Sequence, residues 1–122
     1  MMSEKRLKIL KLLKQRSNKD LSEQARALSA VNARIDELNA LRTSLTKQLE
    51  FYSDRNSISS VAHLRSNGIF TQKLNVEIDR IDQQCEHLST EVESLALELM
   101  RLDLKKQKIE DKIAVEQRKI IA

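Results

Sequence analysis

The chain's one thiol, Cys85, and its two imidazoles, His63 and His87, are the side chains whose types could ligate a metal or serve as nucleophile and base. The two histidines are far apart in sequence and form no recognisable ligand set with Cys85, so surface roles are expected for both. Cys85 falls on an apolar seam described below, where a small buried filler competes with a redox role. A single Gly cannot build a phosphate-cradling loop or a nucleophile motif. No catalytic residue, metal ligand or cofactor is therefore expected, and the chain reads as a non-enzyme that works through its surface.

The other chemistry on offer is charge. Lys5, Arg6, Lys8, Lys11, Lys14, Arg16 and Lys19 crowd the start of the chain, and Lys105, Lys106, Lys108, Lys112, Arg118 and Lys119 crowd its end. Such clusters fit a solvated surface, docking to an acidic protein partner, or counterion-releasing contact with nucleic acid or anionic lipid. The scarcity of aromatic residues and the acidic residues interspersed near the end count against nucleic acid. Residues 1–20 hold seven Lys/Arg against Glu4 and Asp20, a net of +5, and residues 105–122 hold six against three, a net of +3. Between them, residues 21–104 hold nine against thirteen, a net of −4.

Those clusters must be carried by long helices. Apolar residues recur at alternating steps of three and four in two stretches, Leu7, Leu10, Leu21, Leu28, Val31, Ile35, Leu38, Leu45, Leu49 and Tyr52, then Leu74 through Ile78, Ile81, Cys85, Leu88, Val92, Leu95, Leu99, Leu102, Ile109, Ile113 and Ile120. Lys14, Ser17, Gln24 and Arg42 are the polar occupants of the first register; Thr71, Lys106 and Glu116 are those of the second. A stripe this narrow covers only another helix, and a strict period of seven implies a left-handed supercoil. Two Phe, one Tyr and no Trp leave no material for a compact aromatic core.

The expected fold class is all-α, a long antiparallel two-helix coiled-coil hairpin in a single unit over residues 1–122. Helix one is expected from about Ser3, as N-cap, to Ser53. It runs unbroken past Ser17 to Glu23, although Asp20 and Glu23 resemble a capping box. The break over residues 54–68 contains Asp54, Asn56, Ser57, Ser59 and Ser60, which compete with helix, and Ile58, Val61, Ala62 and Leu64, which could form one amphipathic turn. Ser66 or Asn67 then caps a second helix from about Ile69 to 120. Paired residues should have numbers that add to roughly 123, with each helix about 75 Å long. Phe51, Tyr52, Ile58, Val61, Leu64, Ile69 and Phe70 gather near the turn, where they either close the tip or present an anchor to a partner. No stretch approaches the length of a membrane span, charges interrupt the opening MMSEKRLKIL, and one Cys fits a reducing cytosol.

The segment from Leu49 to Arg55, the Ser/Asn-rich turn, the spacing of Phe70, Leu74 and Ile78, and the late run from Lys105 to Glu110 resemble the FliJ family of flagellar type III export and its injectisome counterparts, the YscO (SctO) type. The likeness extends over nearly the whole chain in length and layout. It implies a cytoplasmic, non-enzymatic central stalk of a type III secretion ATPase, peripheral to the inner-membrane export apparatus. Its implied partners are the hexameric ATPase, an export gate protein and export chaperones, with no nucleic acid and no membrane insertion, and the chain itself a monomer. The resemblance places the ATPase at the end formed by the termini, where the basic runs offer Lys5, Arg6, Lys8, Lys11, Lys14, Lys105, Lys108 and Lys112 as contacts. It places the gate at the tip, with Leu45, Tyr52, Phe70 and Leu74, three of which are seam positions. Gln48, Glu77 and Ile81 stand where the family has other contact residues. The alternatives are a homo-oligomeric coiled-coil adaptor or scaffold unrelated to secretion, which the apolar Ile9, Leu12, Ala25, Leu41, Leu97 and Leu104 beside the seams would serve, and a nucleic-acid-binding helical arm.

Overall fold

The structure, a computed structural model, describes residues 2–53 and 60–121. Helix α1 spans Met2–Ser53 and helix α2 spans Val61–Ile121. The two pack against each other as the expected all-α hairpin. The absence of Pro, the abundance of Leu, Lys, Glu and Gln, Glu4 in the first turn of α1 and Arg118 and Lys119 in the last turn of α2 all favour helix. Propensity alone would leave helices this polar marginal; the shared seam is what stabilises them.

The chain groups into two compact units, an outer one of Met1–Ala30 with Val92–Ala122 and a turn-side one of Val31–Glu91. In the turn-side unit Leu38, Leu74, Ile78 and Ile81 are buried, with Val31, Ile35, Leu45, Leu49, Cys85 and Leu88 half-buried around them. Arg42 reaches across to Asp82, with Nε 2.7 Å from Oδ1 and Nη2 3.3 Å from Oδ2. In the outer unit the buried apolar residues are Leu102, Ile109 and Ile113, with Leu7, Leu10, Leu21 and Leu28 half-buried on α1. There Lys14 Nζ lies 3.8 Å from Glu110 Oε1, and Arg6 Nη1 lies 4.0 Å from Glu116 Oε1. Partner numbers add to 124 for Arg42 with Asp82 and for Lys14 with Glu110, and to 122 for Arg6 with Glu116, so the antiparallel register is the one expected. Two helices enclose little: the most buried apolar side chains, Leu38 and Ile81, are each 3% exposed.

Four local expectations are corrected. Helix α2 begins at Val61, about eight residues before Ile69, because Ser60 and not Ser66 or Asn67 is its cap. The His63 N–H donates to Ser60 Oγ at 3.0 Å and the Leu64 N–H to the Ser60 carbonyl at 2.9 Å, which satisfies orphan first-turn amides. Asn67 instead extends the seam one step ahead of Thr71; it is buried, and its Nδ2 donates to the Tyr52 carbonyl at 3.4 Å. Helix α1 already includes Met2, so Ser3 lies inside it. At the far end of α2 the seam residue Ile120 is exposed. Through Ser17 to Glu23, by contrast, α1 is continuous, with Ser17 buried on the register. Val61, Ala62 and Leu64 form the first turn of α2, whereas Asp54, Asn56, Ser57, Ile58 and Ser59 lie outside the described residues.

Candidate functional site

The outer unit collects basic side chains from both helices because the antiparallel register sets the beginning of α1 beside the end of α2. Of the eight expected contacts, Lys14 is half-buried and held by Glu110, and Arg6 leans toward Glu116. Lys5, Lys8, Lys11, Lys105, Lys108 and Lys112 are exposed and have no ion-pair partner among the described residues. The same register sets Lys11 level with Lys112. Between the helices Arg6, Ile9, Leu10, Asp111, Lys112, Val115 and Glu116 line a shallow groove, so charge here rims an apolar floor. Such a surface can orient an acidic partner electrostatically and hold it by apolar contact.

Glu116 stands out at the bottom of this groove. Its side chain is 9% exposed, Lys119 Nζ donates to Oε1 at 3.3 Å, and Oε2 is buried without a hydrogen-bond partner among the described residues. The sequence marked Glu116 as a polar seam residue; that one oxygen would go unmatched was not visible there. Arg42, read as another polar seam residue, in fact swings outward to Asp82, a pairing that the antiparallel sum rule foreshadows. The Arg42 guanidinium, through its hydrogen bond first and its charge second, holds the Asp82 carboxyl below the ordinary carboxylate range.

In the turn-side unit the three aromatic residues form one contact chain. Tyr52 meets Phe70 edge-on with ring centroids 4.6 Å apart, and Phe51 meets Tyr52 at 5.2 Å. Of the four residues expected to touch a gate, Phe70 is exposed, Leu45 and Tyr52 are half-buried, and Leu74 is 5% exposed within the core. Leu74 therefore shapes the surface from beneath and offers none of its own. Among the described residues next to the turn, Phe51, Val61, Leu64 and Ile69 are exposed beside Phe70. The sequence placed these residues near the turn but could not separate the face turned inward from the face turned out.

His63 sits in the first turn of α2, and His87 lines a separate shallow groove with Arg34, Leu38, Arg80, Gln83, Gln84 and Leu88. Cys85 is half-buried on the seam, its Sγ 3.9 Å from Asn39 Oδ1. Among the described residues no group of three His, Cys, Asp or Glu could hold a metal ion, and no helix is long and apolar enough to cross a membrane. No family model, curated protein or solved structure matches this chain.

Proposed function

We propose that the chain is the non-enzymatic central stalk of a type III secretion ATPase, cytoplasmic and peripheral to the inner-membrane export apparatus. The basic outer unit docks in the hexameric ATPase through Lys5, Arg6, Lys8, Lys11, Lys14, Lys105, Lys108 and Lys112. The aromatic cluster of Phe51, Tyr52 and Phe70, backed by Leu45 and Leu74, meets the export gate protein, and export chaperones are further partners. The observation that carries this reading is that the antiparallel register brings the exposed lysines of early α1 and late α2 into one unit, where Arg6 and Lys112 flank the apolar floor of Ile9, Leu10 and Val115. A hairpin of this kind binds its partners as a monomer and couples nucleotide hydrolysis to gate opening through its own mechanical continuity.

The test is to add the purified chain to the type III secretion ATPase of the same cell and follow phosphate release. Stimulation is expected, and the triple reversal Lys8→Glu, Lys11→Glu, Lys108→Glu should reduce it several-fold while leaving helicity by circular dichroism unchanged, since all three side chains are exposed. No stimulation by the unaltered chain, or full stimulation by the triple variant, would refute the proposal. The homo-oligomeric adaptor is favoured by one observation, the exposed apolar row of Leu97, Met100 and Leu104. It requires a tight dimer or higher oligomer that added ATPase leaves intact.

A further inference from the structure

On the back of α2, turned away from the seam, Leu97, Met100 and Leu104 are 67%, 63% and 57% exposed. Their spacing of three and four residues is that of a second, short helical stripe. At 3.6 residues per turn they lie with Glu93 and Lys108 within an arc of about 80°, Glu93 and Lys108 bounding the row along the helix axis. Glu93 and Lys108 are exposed and unpaired among the described residues. The stripe lies wholly within the outer unit.

The row is symmetric about the point between Met100 and Arg101. If a second α2 is laid antiparallel on it by a two-fold rotation, Leu97 of one copy meets Leu104 of the other and Met100 lies beside its counterpart. Glu93 then meets Lys108, and Ser94 meets Gln107. Each contact between different residues occurs twice and the Met100 pair lies across the axis, as a two-fold interface requires. Arg101, beside the axis, brings no loose charge to it, because its Nε and Nη2 already donate to the two oxygens of Glu98 at 2.9 and 2.5 Å. A parallel arrangement in register would instead oppose Glu93 to Glu93 and Lys108 to Lys108. The charges thus select both the partner and its direction.

We infer that Glu93, Leu97, Met100, Leu104 and Lys108 form a self-complementary face through which two copies of this chain associate antiparallel along α2. With three apolar side chains per copy the contact is of the small, reversible class. Lys108 also belongs to the proposed ATPase surface, so on that reading the second copy and the ATPase compete for it. The test uses the chain alone and so stands or falls apart from the secretion assignment.

Sedimentation equilibrium of the full chain, from about 10 μM to about 1 mM, should show a monomer–dimer equilibrium. Glu93→Lys and Lys108→Glu should each weaken it at least about five-fold, and the double reversal should restore it to within about two-fold, because the swap rebuilds both ion pairs. In a Cys85→Ala background, Met100→Cys should form an intermolecular disulfide under mild oxidation at least about ten-fold faster than Thr43→Cys, an exposed control on α1. A chain that stays monomeric to the highest concentration overturns the inference. So do single reversals that leave the dimer unchanged, a double reversal that recovers nothing, or equal cross-linking at both positions.

Discussion

Asp82 and Glu116 show how differently two carboxylates fare on the same pair of helices. Asp82 is half out in solvent and receives two N–H donors from Arg42, so its folded titration lies below that of an unfolded aspartate. The stabilisation from this pair is complete above the unfolded carboxylate range and is lost as pH falls through the lower folded value. In Arg42→Ala, carboxyl carbon NMR should find Asp82 titrating back in the ordinary range, and the acid side of the stability profile should lose that step; an unmoved Asp82 would show the bond to be without influence. Glu116 is the opposite case, with one buried oxygen that no described residue satisfies and an exposed Lys119 as its near neighbour. A buried unmatched polar atom costs about 1–3 kcal/mol, and this is a seam position where Leu would pack. Glu116→Leu should therefore raise the thermal midpoint, by about 3–6 °C for each kcal/mol recovered in a chain of this size. A lowered midpoint would mean that Arg6 and Lys119 hold Glu116 more effectively than the geometry indicates.

Helix α2 owes its first two turns to Ser60 and Asn67, and both can be probed without touching the seam apolar residues. Ser60→Ala removes the acceptor of the His63 N–H and should cost about 1 kcal/mol, with faster amide exchange confined to the first turns of α2. Gly68 lies inside the helix with no positive φ, and a Cβ there would meet nothing within 4 Å. Gly68→Ala should stabilise by about 0.5–1 kcal/mol, measured by urea unfolding; destabilisation would imply a conformational need for Gly at this point. These same residues explain what the sequence could and could not disclose. The two seams were legible from Leu7 to Tyr52 and from Leu74 to Ile113 because burial repeats at every turn of a long element, so each residue confirms the phase of the last. The start of α2 was not, because Ser and Asn serve equally as caps and as tolerated helix residues, and tertiary context decides between them. Burial of Asn67 against the Tyr52 carbonyl overrode its local preference and carried helix straight through the Ser66–Gly68 punctuation. Continuing the register four residues back from Thr71 to Asn67 would have found it. Which apolar residues near the turn face out, Phe51 and Ile69 among them, depends on side-chain packing that periodicity does not encode.

For the molecule as a whole the decisive quantity is the unequal distribution of charge. By sequence the outer unit holds fifteen Lys/Arg against nine Asp/Glu, a net of +6, and the turn-side unit seven against nine, a net of −2. A surface so biased attracts an acidic partner over distances comparable with the screening length, about 8 Å at physiological ionic strength. A partner seated there as proposed would also cover the apolar floor of Ile9, Leu10 and Val115, a contact that responds little to salt. The two contributions therefore separate kinetically. Between about 0.05 and 0.5 M salt, the association rate of the chain with the proposed partner ATPase should fall by about ten-fold or more, while the dissociation rate changes little. Val115→Asp should do the reverse, leaving the salt slope of association intact and speeding dissociation. Stopped-flow fluorescence with a label on the ATPase reads both rates. If dissociation carries the salt dependence, or if duplex DNA displaces the ATPase at equal charge concentration, the lysines are a polyanion-binding surface and the docking geometry assigned to the groove is wrong.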